Sequence, residues 1–199
     1  MAQRLGSDRI AGLKLLFALI AVMWVTEAID AADGHHLDQY GIHPRDVGGL
    51  PEIFSAPFLH VGWDHLISNT IPFAAMGLAI ALGGLARVAL VTLIVGVVSG
   101  LGVWLIAPSH TVVLGASGIV FGYATYLVAR GILSRRLVEI GVGVVVIGVF
   151  GLALLQSLVP HEGISWQAHL FGAIGGVIAA SVVAGRREPA PAALPRPVA

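Results

Sequence analysis

The chain contains no cysteine, which removes disulfides, thiolate metal sites and a cysteine nucleophile from consideration. Any covalent chemistry must use another group. Charge is scarce as well: Asp, Glu, Lys and Arg make up 11% of the 199 residues, against roughly 25% in soluble domains. The formal charge sums to zero and no basic tract of five or more residues occurs, so nucleic acid is not expected as a partner. What fills the chain is apolar, with 57% hydrophobic residues and a mean hydropathy of +0.91. Such a composition predicts an integral membrane protein surrounded by lipid bilayer.

Segments of roughly 17 to 25 apolar residues are needed to cross the hydrocarbon core. Six stretches meet or approach that length, at about 13–29, 64–82, 86–106, 116–133, 137–158 and 166–185. The first follows a basic start (Arg4, Arg9, Lys14) but is too long for a secretory signal and lacks a small-residue cleavage site, so it reads as a retained helix. A polar connection at 30–57 separates the first two spans; the others are joined by short segments. The expected organisation is one helical domain over 1–185 and a proline-containing, disordered cytoplasmic tail over 186–199.

Lys and Arg are unevenly distributed. Arg4, Arg9, Lys14, Arg87, Arg130, Arg135, Arg136, Arg186, Arg187 and Arg196 fall on one side of a six-span arrangement, and Arg45 alone on the other. Short loops rich in these residues stay in the cytoplasm. Both termini are therefore predicted cytoplasmic, with the 30–57 connection facing outward.

Polar side chains inside apolar spans are costly, so each is a functional candidate. His65 and Asn69, in "WDHLISNTIP", are four residues apart and share one helical face. His169 lies in "WQAHLFGAIGG" of the last span, and Ser117 opens the fourth. At 1.5 Å per residue, the distance from Ser117 to Arg130 and Arg135 is roughly 20 to 27 Å, which sets Ser117 just below the outer surface of a core about 30 Å thick. Gly118 and Gly122 form a GxxxG on its helix, and Gly172 and Gly176 form another beyond His169. Small residues at this spacing let membrane helices approach closely. If the two faces meet, Ser117 and His169 come into reach. A neutral imidazole is the usual base for a serine hydroxyl, and an oxyanion formed by its attack needs donors already in place, which His65, Asn69 and the Ser117 amide offer. No carboxylate sits mid-span, since Glu27, Asp64 and Glu139 lie near ends. A Ser-His dyad without an acidic third member is the version that these residues permit.

Blander readings compete. A lone GxSG is usually packing, and His65 with Asn69 can simply cross-link helices for about 1 kcal/mol. His60, His110 and His161 read as interfacial residues that complete structural hydrogen bonds, His35 and His36 as solvated loop, and Trp24, Trp63, Trp104 and Trp166 as an aromatic belt. The conjunction of serine, histidine and the His65–Asn69 pair at one depth outweighs them.

These residues resemble the rhomboid family of intramembrane serine proteases over roughly residues 50–180. "FLHVGWDHLISNTIPFAAMG" looks like the family's HxxxN helix, "GASG" like its GxSG nucleophile motif, and "AHLFGAIGG" like its AHxxGxxxG helix. The resemblance implies an all-α, six-transmembrane-helix bundle that cleaves single-span membrane-protein substrates. It implies Ser117 as nucleophile, His169 as general base, His65 and Asn69 as oxyanion donors, and no metal or organic cofactor. A flexible cap over the site at 159–165 is implied too. Where the family often carries a tyrosine stacked on the imidazole, this chain has Phe121. A Trp-Arg pair typical of the first outer loop is not evident, and Arg45 in "GIHPR" stands in that region. The alternatives are a non-proteolytic rhomboid-like protein that binds membrane helices and a small transporter. The presence of both Ser117 and His169 argues against the first, and the one-sided depth of the polar residues against the second.

Overall fold

A computed structural model describes residues 2–159 and 163–185. The expected tail at 186–199, His161 and the middle of the expected cap lie outside these residues. Among the described residues the protein is all-α. Seven helices follow one another: α1 (Ala2–Ala32), the short α2 (Glu52–Ser55), α3 (Trp63–Ala81), α4 (Leu85–Ile106), α5 (Ser117–Ser134), α6 (Leu137–Gln156) and α7 (Trp166–Gly185). The helices match the expected apolar segments, with α1 extending further at both ends.

Four helices are long and apolar enough to cross a membrane: Gly6–Ala32 within α1, then α4, α6 and α7. The other two long helices fall outside that group for a chemical reason. α3 carries Asp64, His65 and Asn69, and α5 carries Ser117, Tyr123 and Arg130; their polar groups lower the hydropathy where the site is built.

The ends of the helices are set by backbone geometry. α3 and α4 start after Gly62 and Gly84, both at positive φ, where a β-carbon is disfavoured. Between α5 and α6 the chain turns on Arg135, in the left-handed region at φ 55°. The two longer connections, 33–62 and 107–116, are tied together. Ile42 and Val113 exchange backbone hydrogen bonds of 2.8 and 3.1 Å, and the Gly115 N–H donates to the Ala56 carbonyl at 2.9 Å. Arg45 belongs to the same brace, its N–H donating to the Trp104 carbonyl at 3.0 Å and its guanidinium to the Leu105 carbonyl at 3.2 Å.

α7 packs chiefly against α5 and α4, while α6 packs against α5 and only thinly against α3. The core joins Leu16 and Met23 of α1, Leu66, Phe73 and Met76 of α3, Val91 and Val95 of α4, and Tyr123 and Tyr126 of α5. The α5–α7 contact is made through the expected glycines. A β-carbon on Gly172 would collide with the Gly118 backbone, and one on Gly176 with the Gly122 carbonyl. Polar side chains then lock the approach, because Thr125 Oγ1 donates to the Ala173 carbonyl at 2.8 Å and Ser99 Oγ of α4 to the Ala168 carbonyl at 2.9 Å. Such bonds contribute roughly 0.6 to 1 kcal/mol each in a membrane.

Replacing Gly172 by Val is expected to force α5 and α7 apart and destabilise the folded chain by about 1–3 kcal/mol. Gly148→Val on α6, where a β-carbon meets nothing within 4 Å, is the matched control and stays within about 0.5 kcal/mol. Thermal unfolding of both variants in detergent checks this; equal loss in the two would show that the glycine contact is not what holds the helices.

Candidate active site

Ser117 is the first residue of α5 and His169 lies one turn into α7. The glycine contact brings them together: Ser117 Oγ and His169 Nε2 are 3.0 Å apart. The other ring nitrogen of His169 decides the direction of that bond. Nδ1 lies 2.7 Å from the Ser157 carbonyl at the end of α6. A carbonyl can only accept, so Nδ1 carries the proton and Nε2 presents its lone pair to the serine hydroxyl. The ring is held flat as well, stacked on Phe121 with centroids 4.2 Å apart and planes 8° from parallel. Phe121 is one helical turn after Ser117, so a single helix supplies both the hydroxyl and the aromatic floor under its partner.

His65 and Asn69 converge on the chain just before the serine. The Val61 N–H donates to His65 Nδ1 at 3.3 Å, which leaves Nε2 as the protonated nitrogen of a neutral ring. A β-carbon on Gly115 would stand 3.0 Å from that Nε2 and 3.8 Å from Asn69 Nδ2. Gly115, at φ 115°, therefore leaves open the space into which both donors point. The Asn69 amide gives one N–H to the His65 carbonyl at 3.1 Å and keeps a second. The Ser117 N–H, at the start of a helix, has no helical acceptor by position.

A cavity of about 1050 Å³ opens over these groups. Its wall includes Ser117, His169, His65 and Asn69, together with Pro72 of α3 and Phe150 and Leu154 of α6. The arrangement has what acyl transfer requires: a hydroxyl on an imidazole lone pair, donors grouped beside it, and room for a peptide.

His60 makes the structural hydrogen bond expected of it, and is more deeply buried than an interfacial position implies. Only 1% of it is exposed, its ring meets His65 edge-on at 5.1 Å, and its Nε2 accepts the Ala116 N–H at 3.4 Å. It thus braces both the strand of backbone before Ser117 and the ring of His65. Spacing gave no signal for this contact, because the Gly62 turn separates His60 from the helix that carries His65. Ser157 was also missed, because it acts through a backbone carbonyl that any residue type supplies.

The fold and site define a class, a helical membrane protein with a serine–imidazole pair facing a cavity. Comparison with known proteins agrees. Residues 48–186 match the Rhomboid domain, and the chain belongs to the rhomboid family. It is 38% identical over 179 residues to an uncharacterized protein of Mycobacterium tuberculosis, covering 86% of this chain and 75% of the relative. An uncharacterized protein of Mycobacterium leprae is 37% identical, with 86% and 70% covered. The Bacillus subtilis protein YdcA, provisionally named a rhomboid protease, is 28% identical over 87% of this chain and 88% of its own length.

Burial, reinforced by the neighbouring His65, lowers the His60 imidazole from 6.5 to about 4. Above pH 6.5 the ring is neutral whether folded or unfolded and adds no pH dependence. As pH falls from 6.5 towards 4 the unfolded chain takes up a proton that the folded chain refuses, so up to about 3 kcal/mol of stability is lost in that window. Thermal midpoints in detergent between pH 7.5 and 4.5 should therefore fall more steeply for wild type than for His60→Gln; parallel curves would contradict the assignment.

Proposed function

We propose that this protein is an intramembrane serine endopeptidase that cleaves single-span membrane proteins with a Ser117–His169 dyad. The observation that carries the reading is the 3.0 Å contact between Ser117 Oγ and an imidazole whose Nδ1 is occupied by the Ser157 carbonyl.

Ser117 Oγ attacks the scissile carbonyl carbon as its proton passes to His169 Nε2. The carbonyl oxygen becomes an oxyanion in the space left by Gly115, where His65 Nε2–H, Asn69 Nδ2–H and the Ser117 N–H stabilise it. His169 returns the proton to the leaving amine as the C–N bond breaks, which leaves an acyl-Ser117. Water then attacks that ester, giving its proton to His169, and Ser117 leaves with the proton restored. Removing a single oxyanion donor typically costs about 10²–10³ in kcat.

A helical substrate has its carbonyls hydrogen bonded and shielded, so it must unwind before attack. Substrates with Gly or Pro near the cut bond are favoured for that reason. The cavity wall shared by Pro72 on α3 and Phe150 and Leu154 on α6, where these two helices touch only thinly, supports sideways access there. In the proposed arrangement six helices span a bacterial cytoplasmic membrane with both termini inside, as the distribution of Lys and Arg supports.

Purified protein in detergent, incubated with a panel of single-span model substrates, tests the reading. Wild type is expected to cleave at least one and to react with a fluorophosphonate probe. Ser117→Ala and His169→Ala should each lose at least about a thousandfold in cleavage rate while remaining folded. Cleavage that survives Ser117→Ala would rule the dyad out, and the absence of both cleavage and labelling in wild type would favour a helix-binding role.

A further inference from the structure

Around the C-terminal end of α1, away from the Ser117–His169 site, the chain gathers a second group of chemistry-bearing side chains. After Ala32 it turns through Gly34 and His35, both in the left-handed region, and runs back as a 3-10 turn over His36–Tyr40. The turn returns His35 and Asp38 to Asp30 on the helix. One ligand-type atom from each of Asp30, His35 and Asp38 lies within 4.8 Å of the others. The His35 ring, half-exposed as expected of a solvated loop, has Nδ1 3.2 Å from Asp30 Oδ2. Ligands of a tetrahedral zinc ion with bonds of about 2.0–2.1 Å stand roughly 3.3 Å apart. The Asp30–His35 pair is close to that edge, and the Asp38 ligand atom stands within 4.8 Å of both.

An Asp–His ion pair does not satisfy everything present. Glu27, three residues before Asp30 and so on the same face of α1, is fully buried, and both its carboxylate oxygens lack a hydrogen-bond partner among the described residues. Asp30, His35 and Asp38 are the groups that act on it electrostatically. Asp38 Oδ1 is buried without a partner too. Three carboxylates thus gather about one imidazole. A buried carboxylate without partners is strongly unfavourable. A dication held by Asp30, His35 and Asp38 would offset the buried carboxylate behind them and give Asp38 Oδ1 a partner.

We propose that Asp30, His35 and Asp38 form a structural site for a divalent transition-metal ion of the zinc type, with Glu27 as the buried charge behind it. Imidazole with carboxylates suits Zn²⁺ better than Ca²⁺, which prefers an all-oxygen shell of six to eight ligands. Water completes the shell on the solvent side. The ion would pin the 33–62 connection to α1.

The full chain, stripped with a chelator and returned to detergent at pH 7.5, is titrated with ZnCl2, and with CaCl2 in a parallel arm, by calorimetry and thermal unfolding. Wild type is expected to bind one Zn²⁺ per chain with a rise in thermal midpoint, and to bind Ca²⁺ at least tenfold more weakly. His35→Ala and Asp38→Asn should each weaken zinc binding at least tenfold. Glu27→Gln should unfold at a higher temperature than wild type without metal, yet gain less from zinc. Zinc binding unchanged in both ligand variants, a preference for Ca²⁺, or no zinc-dependent change in the wild-type midpoint would each overturn the proposal.

Discussion

The distance between the backbones of α5 and α7 governs this molecule. Gly118 against Gly172 and Gly122 against Gly176 leave no room for a β-carbon, and a hydroxyl on the first residue of one helix can touch an imidazole on the other only at that separation. In lipid such an approach has no hydrophobic driving force, because lipid tails are as apolar as the side chains they would replace. It rests on van der Waals contact between backbones and on hydrogen bonds across the gap. Thr125 to the Ala173 carbonyl and Ser99 to the Ala168 carbonyl supply the latter, from α5 and α4 respectively. α7 is thereby held from two sides, and the ring of His169 inherits that rigidity.

Polar groups in this apolar bundle divide into two populations. Away from the cavity several pair with one another, as where the Tyr123 hydroxyl and Thr92 Oγ1 meet at 2.6 Å between α4 and α5. Around the cavity each keeps one function unspent: the Nε2 lone pair of His169 towards Ser117, the Nε2–H of His65 and the second N–H of Asn69 towards the gap at Gly115. Unspent functions gathered on one cavity mark a site more clearly than residue type does, since serine, threonine and histidine occur in both roles. His60 lies outside that group, its Nδ1 buried without a partner among the described residues. Its Nε2 is taken up by the Ala116 N–H, so it shapes the site without facing it.

Much of this was legible in the amino-acid sequence because helical periodicity turns spacing into geometry. His65 with Asn69 at i, i+4, Ser117 with Phe121 at i, i+4, and the two GxxxG pairs each announce a shared face, and one assumption, that the two glycine faces meet, then assembles the dyad. What stayed hidden depends on groups that sequence does not encode. The proton on Nδ1 of His169 is fixed by the carbonyl of Ser157, which would be the same carbonyl in an alanine. His60 lies beyond a glycine turn, where helical spacing says nothing about direction. The brace between the 33–62 and 107–116 connections is made of backbone bonds at Ile42, Val113, Ala56 and Gly115. The clustering of Asp30, His35 and Asp38 needs two consecutive left-handed residues, Gly34 and His35, of which only the glycine signals that conformation. Six spans were read from apolar length, and by length and composition alone four helices reach that standard; α3 and α5 fall short because the chemistry is concentrated in them.

The carbonyl that orients His169 rides on α6, the long helix with the fewest buried residues, Gly143 and Val146 among those described. On the proposed function, this limits how a substrate can reach the cavity. If the whole of α6 swung away from α3, the Ser157 carbonyl would leave Nδ1, the ring would lose the bond that selects its tautomer, and Nε2 would no longer be held as a base. Ser157 is itself anchored within α6, its N–H and hydroxyl both bonded to the Ala153 carbonyl at 3.1 and 2.9 Å. It therefore moves with the last turn of the helix. Sideways access compatible with an intact dyad must then come from side-chain displacement at Phe150 and Leu154 or from a bend below Ala153. Gly148 and Gly151 lie just below that point, and a β-carbon at Gly148 would meet nothing within 4 Å, so the packing there does not oppose such a bend.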